Sequence, residues 1–359
     1  MVYEYNLETF KDLSLSTKDV LLIPSKGLLV SRSEADVHSY LFSAPMDTVT
    51  GLDLCDSLIA QNQNAVISRF LPLPERIEAF IKFAHHHRFW WSVGVNFQEE
   101  SKQIETFLKC LPINETDDIK INICVDVAHG DTDQLHQVYQ SWKELPYVRN
   151  LMSGSIATGE AALRCIDSGC NVLRVGIGPG AACTTRLVTG VGAPQLSAVF
   201  DVYSMLYQVD ASLLDEIMII ADGGINSSGD IVKYLSAGAT HVMLGKILSY
   251  TEESAGWELP DLYTAIKLRS RKKVKRFRGQ ASKEFQIQQY GIAKNVEGAS
   301  SNYFNPKYKL SDLLEELDNG LSSAVSYLGV TNTIELNPHS VQFRRITQNG
   351  WSESNTNLP

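Results

Sequence analysis

Eight short apolar runs recur along this chain, each closing on small or polar residues, and amphipathic stretches separate most of them. The runs cover 39–46, 65–70, 90–96, 121–128, 149–154, 171–176, 217–222 and 241–245. Between them, 99–111, 133–144, 159–168 and 229–238 carry apolar residues at helical spacing. Eight strands alternating with helices predict a (β/α)8 barrel rather than a doubly wound sheet. With 359 residues, 44% of them apolar, the chain is long enough to bury such a core.

Charge narrows the partners. A net charge of -9 argues against nucleic acid or an anionic membrane as the main partner. No apolar run approaches the ~18 residues of a membrane span, and the opening Met1-Val-Tyr-Glu-Tyr5 carries no signal region. Six cysteines show neither a C-x-x-C pair nor metal-ligand spacing, which predicts free thiols in a reducing cytoplasm. His85-His86-His87 reads as a surface cluster, since nothing nearby is spaced to complete a metal site.

The C-terminal ends of barrel strands meet at one face, where barrel enzymes place their chemistry. Polar and glycine residues collect at those ends here: Asp47, Asp126, Ser155, Asp222-Gly223-Gly224 and Gly245-Lys246. The sixth run leads into Gly176-Ile-Gly178-Pro-Gly180-Ala-Ala-Cys183-Thr-Thr185. A free cysteine is most often a small buried hydrophobe. This one follows a glycine turn whose amides can approach a ligand, so it reads as a nucleophile beside a bound anion. Asp222 suits ribose hydroxyls, with the amides of Gly223 and Gly224 toward a phosphate; a helix cap is the plainer reading. Lys246 is placed to reach the same phosphate.

Beyond the eighth run, 253–310 departs from the barrel pattern and predicts a mobile excursion over the active face. It contains eight basic residues in the twelve from Lys267 to Arg278. That run reads either as a solvated face or as an anion site. Glu297-Gly298 follows in a loop rich in small residues, where a carboxylate beside a thiol and a threonine can move protons. A helical pattern returns over 309–328 as the last barrel helix. The polar tail 350–359 is expected to fray. A single domain over 1–359 results, with no separate second domain.

These residues resemble the IMP dehydrogenase/GMP reductase family of purine nucleotide enzymes. The likeness runs from Pro45-Met-Asp-Thr-Val49 through Val125-Asp-Val-Ala-His-Gly130, the Cys183 loop and Ala221-Asp-Gly-Gly-Ile225 to Phe343-Arg-Arg-Ile-Thr347. The resemblance implies a (β/α)8 barrel that forms homotetramers. It implies that Cys183 attacks purine C2 to give a covalent thioimidate, with hydride exchanged with a nicotinamide. Asp222, Gly223, Gly224, Gly245 and Lys246 would hold the nucleotide's ribose and phosphate, and Arg278, Gly279 and Gln280 its base. Asp126, with Asp47 and Ser155, would meet the dinucleotide. Carbonyls of Gly178, Gly180 and Cys183 would hold a monovalent cation such as K+.

Within that family the chain looks more like the reductases. Between 70 and 90 there is no space for the regulatory module that dehydrogenases usually insert. No Arg-Tyr pair occurs anywhere in the sequence, and in the dehydrogenases that pair activates water. Thr185 and Glu297 match the pair that handles departing ammonia in reductases, which implies GMP and NADPH as substrates. The alternatives are a dehydrogenase without the module, using IMP and NAD, and a non-catalytic nucleotide-binding relative. Departures from the family pattern are Ala181 for Ser, Lys246 for Gly, Gln280 for Met, Ser155 for Asn, and Ala293-Lys294 for Tyr-Arg. Pro45–Val49 and Phe277-Arg-Gly279 look more like the dehydrogenases.

Overall fold

The chain was analysed as a computed structural model that describes residues 2–11, 14–111, 119–270 and 272–354. All eight predicted strands form: β1 Leu41–Ser43, β2 Ala65–Ile67, β3 Phe89–Val93, β4 Ile121–Val125, β5 Val148–Met152, β6 Val172–Val175, β7 Met218–Asp222 and β8 His241–Leu244. They pair in parallel around one sheet in the order β1-β8-β7-β6-β5-β4-β3-β2. A parallel bridge between Phe42 and Asn64 brings the two ends together. There Asn64 N–H donates to the Leu41 carbonyl at 2.9 Å, and Ser43 N–H to the Asn64 carbonyl at 3.1 Å. The result is the expected (β/α)8 barrel.

A helix follows each strand. The predicted segments appear as Phe97–Leu108, Asp133–Lys143, Gly159–Asp167, Ser228–Ser236 and Leu310–Leu328. Thr132, Thr158 and Ser227 start three of them by accepting from the amides of Leu135, Ala161 and Asp230. The first begins two residues earlier than its apolar pattern suggests, because the Asn96 side chain caps it through Glu99 N–H.

Alternation along the strands divides the core in two. One set of side chains faces the helices. The other fills the barrel as a dry plug: Phe42, Val66, Trp90, Cys124, Met152, Val172, Ile220 and Met243, one from each strand. Since side chains on a strand alternate, the residue two further along faces the same interior, one layer nearer the mouth. Those positions include Asp126, Arg174 and Asp222.

The excursion after β8 is a three-stranded antiparallel sheet of Trp257–Glu258, Val274–Phe277 and Asn302–Phe304, with helices Leu262–Leu268 and Lys283–Tyr290. The basic run is divided by it. Lys272 and Lys273 are exposed, but Lys275 and Arg278 are buried. Lys275 Nζ donates to the carbonyls of Glu252, at 2.9 Å, and Ser254, and sits 3.9 Å from the Trp257 ring centroid. Neither a solvated face nor an anion site describes that half, since its cations are already satisfied inside the protein. Gly350–Glu353, within the tail expected to fray, lies in a helix over Gln348–Glu353; 355–359 lie outside the described residues.

Candidate active site

A cavity of about 560 Å³ opens at the C-terminal mouth of the barrel. Most of the residues singled out in the sequence line it: Asp126, Ser155, Gly178, Gly180, Cys183, Thr185, Asp222, Gly223, Gly224, Gly245, Lys246, Gly279, Gln280 and Glu297. They come from five strand ends and from the excursion.

Cys183 is exposed, on the loop between β6 and a short helix, Thr185–Thr189. Its thiol donates to Thr185 Oγ1 at 3.1 Å, and the Thr185 hydroxyl donates to Glu297 Oε2 at 2.7 Å. Thr185 and Glu297, 112 positions apart, thus complete one hydrogen-bonded line from sulfur to carboxylate. The backbone fixes its far end. Glu297 N–H donates to the Ala281 carbonyl at 3.1 Å, and the Glu297 carbonyl accepts from Thr184 N–H at 2.8 Å. Next to it, Ala299 N–H donates to the Ala182 carbonyl at 2.9 Å. The segments meet so closely that a side chain at Gly298 would lie 2.5 Å from Ser282 N, and one at Gly279 would lie 2.6 Å from the Ala182 oxygen. Arg186 anchors the turn from the other side through the carbonyls of Ile177, at 3.1 Å, and Ala193.

The second cluster lies deeper. Arg174 NH1 donates to Asp126 Oδ1 at 2.9 Å, Arg174 Nε lies 3.1 Å from Asp222 Oδ2, and Arg174 NH2 donates to Ser155 Oγ at 3.1 Å. Burial pushes the Asp222 carboxyl above its ordinary range, while the Arg174 guanidinium pulls the other way and Asp126 adds to the rise. Arg69 Nε stands 3.7 Å from Asp126 Oδ2. Gln280 Nε2 donates to the Pro45 carbonyl at 2.7 Å, and Lys246 is exposed at the mouth.

Two assigned residues lie elsewhere. Arg278 is buried and donates to Asp47 Oδ2 at 2.7 Å, with its guanidinium 5.0 Å from the Phe285 ring centroid. Asp47 lines a separate cavity with Asp53, Glu75 and Glu253. The structure pairs these two with each other, Arg278 lying just beyond the end of the strand Val274–Phe277.

Sequence reasoning passed over Arg69 and Arg174. The signal was present, since each is a lone charge in an otherwise apolar run. Phe285 and Tyr290 line the cavity too, but nothing local distinguishes them from core aromatics.

Comparison with known proteins agrees with this geometry. Residues 8–357 match the IMP dehydrogenase / GMP reductase domain. The chain is 37% identical to inosine-5'-monophosphate dehydrogenase of Borreliella burgdorferi, over 96% of this chain and 95% of that protein. It is 31% identical to human GMP reductase 2, over 94% and 95%, and 32% identical to GMP reductase of Oceanobacillus iheyensis, over 87% and 90%.

Proposed function

This chain belongs to the IMP dehydrogenase / GMP reductase family, and we propose that within it the protein is a GMP reductase, converting GMP and NADPH to IMP, ammonia and NADP. The observation that carries this reading is the hydrogen-bonded line from Cys183 through Thr185 to Glu297.

On this reading Cys183 sulfur adds to purine C2 while its proton passes through the Thr185 hydroxyl to Glu297. The C2 amine then leaves, taking a proton back from Glu297, and a thioimidate joins C2 to Cys183. The dinucleotide, when bound, supplies the hydride that reduces C2. The carbon–sulfur bond breaks last, and the thiolate takes a new proton from solvent, since the first left with the ammonia. Asp222 accepts the nucleotide's ribose hydroxyls, with Gly223, Gly224, Gly245 and Lys246 toward the phosphate and Gly279 and Gln280 toward the base. Asp126 and Ser155 face the same cavity and suit the dinucleotide, whereas Asp47, paired with Arg278, lines the second cavity.

The carbonyls of Gly178, Gly180 and Cys183 belong to one turn, where Gly180 O accepts from Cys183 N–H at 2.9 Å. A carbonyl keeps a second lone pair, so these hard oxygens fit K+, which would brace the thiol's turn. A reducing cytoplasm suits the six free thiols, and a homotetramer is the assembly that the family resemblance implies.

A second reading, an IMP dehydrogenase using NAD, draws on the 37% identity to the Borreliella burgdorferi protein. The test is nicotinamide absorbance in two assays. Loss of NADPH absorbance with GMP supports the reductase. Gain of NADH absorbance with IMP and NAD, and no reaction with GMP, overturns it.

A further inference from the structure

The ligand contacts assigned to the barrel mouth converge on a residue with no assigned role. Asp126 and Ser155 follow two different strands, Asp222 ends a third, and Arg174, on a fourth, holds all three. Its relative exposure is 6%. The fork also donates from NH2 to the Val127 carbonyl at 3.2 Å, from Nε to Ser155 Oγ at 3.2 Å and from NH1 to Cys124 Sγ at 3.9 Å.

The arrangement spends half of each carboxylate. Asp126 Oδ1 accepts a hydrogen bond from Arg174, and Asp222 Oδ2 is ion-paired with it at 3.1 Å. Asp222 Oδ1 accepts no hydrogen bond from the described residues, and Asp126 Oδ2 meets only Arg69 at 3.7 Å. Two acceptor oxygens are left toward one cavity, and both carboxylates line it. A cation between them offsets the repulsion that two carboxylates on one cavity would otherwise set up. Lysine carries the charge but not the fork, and one ammonium on a flexible stem cannot fix two carboxylates and a hydroxyl together.

We propose that Arg174 is a positioning residue that holds Asp222 and Asp126 side by side as acceptors for two ligand riboses, one of the purine nucleotide and one of the dinucleotide. The proposal rests on the reading above that these carboxylates meet riboses, but not on the direction of the reaction.

The groups facing the guanidinium are Asp126 and Cys124 of the β4 region, Asp222 of β7 and, behind Asp126, Arg69. Burial pushes the Cys124 thiol up to about 12, so it stays neutral. A group whose pKa rises on folding lends stability that is lost as pH climbs through that raised pKa. Loss of Arg174 removes the pull that lowers Asp222. Arg174→Gln should therefore lose Tm more steeply than wild type as pH rises above the ordinary carboxylate pKa, and Arg174→Lys should restore the shallower profile.

The deciding measurement is calorimetric titration of GMP, IMP and NADPH into wild type and Arg174→Lys, which requires no turnover. Weakening of both the purine nucleotide and the dinucleotide by about tenfold or more is expected, the scale of a lost charge-assisted hydrogen bond. Both affinities unchanged, or only one of them weakened, overturns the proposal. So does Arg174→Gln with a wild-type pH profile. A wild type that binds GMP and NADPH without converting them sinks the reductase reading and leaves the role of Arg174 standing.

Discussion

The two ends of the barrel are built from the same strands and treat polar groups in opposite ways. At the N-terminal end, Asn122, Asn150 and Asn171 form an amide ladder. Asn150 Nδ2 donates to Asn122 Oδ1 at 2.9 Å, Asn171 Nδ2 to Asn150 Oδ1 at 2.7 Å, and Asn122 Nδ2 to the carbonyls of His87 and Phe89. At the C-terminal end, Asp222 and Asp126 keep an oxygen in reserve and Cys183 is exposed. Satisfied polar groups hold strands in register, and unspent ones meet a ligand. What separates them is the dry plug, which Cys124, Val172 and Ile220 help to fill.

The largest effect expected from breaking this contrast is at the thiol. Cys183→Ala should abolish turnover and leave GMP affinity close to wild type by calorimetry. Loss of binding along with turnover would make Cys183 a structural residue. Next comes Glu297→Gln, which removes the proton acceptor and keeps the shape. It should slow deamination by roughly 10²–10⁴, the span of general acid–base groups, with the melting temperature unchanged. A wild-type kcat would exclude Glu297 from proton transfer.

The opposite end should respond in stability and not in chemistry. Asn150→Ala leaves Asn122 Oδ1 and Asn171 Nδ2 without their partner and should cost about 1–3 kcal/mol in denaturant unfolding, with KM unmoved. A changed KM would show that the plug does not insulate the ends. The smallest effect is expected at Asp131, on the rim between β4 and the helix that follows. Hydrogen bonds from Arg164 and then His136 hold its carboxyl down at about 2, against the cost of its burial. A depressed carboxyl lends stability above its unfolded pKa and loses it as pH falls through the folded value. Asp131→Asn should therefore narrow the gap between wild type and variant Tm as pH drops from about 5 to about 2.5. An unchanged gap would mean that the Arg164 pair contributes nothing measurable.

The eight strands, the five named helices and the place of the thiol were legible in the sequence, because each rests on local chemistry. Period-two and helical spacing mark elements whichever partners they find. A glycine turn before Cys183 announces a loop wherever it lands. The site was legible where residues follow directly on a strand, as Asp126, Asp222 and Gly245 do. It was less so in the excursion, where neither strand partners nor burial have a local signature. Lys275 and Lys273 look alike in sequence, yet one is buried and the other exposed.

By itself, then, the sequence determined the barrel and the chemistry available at its mouth, since periodicity and residue type are properties of neighbours along the chain. Tertiary structure alone decided which polar groups are spent. It set Arg278 on Asp47, Glu297 on Thr185, and Arg174 between two carboxylates. Whether a charge is a ligand contact or an internal strut depends on what lies within about 3 Å of it, and those neighbours come from strands and loops far apart in the chain.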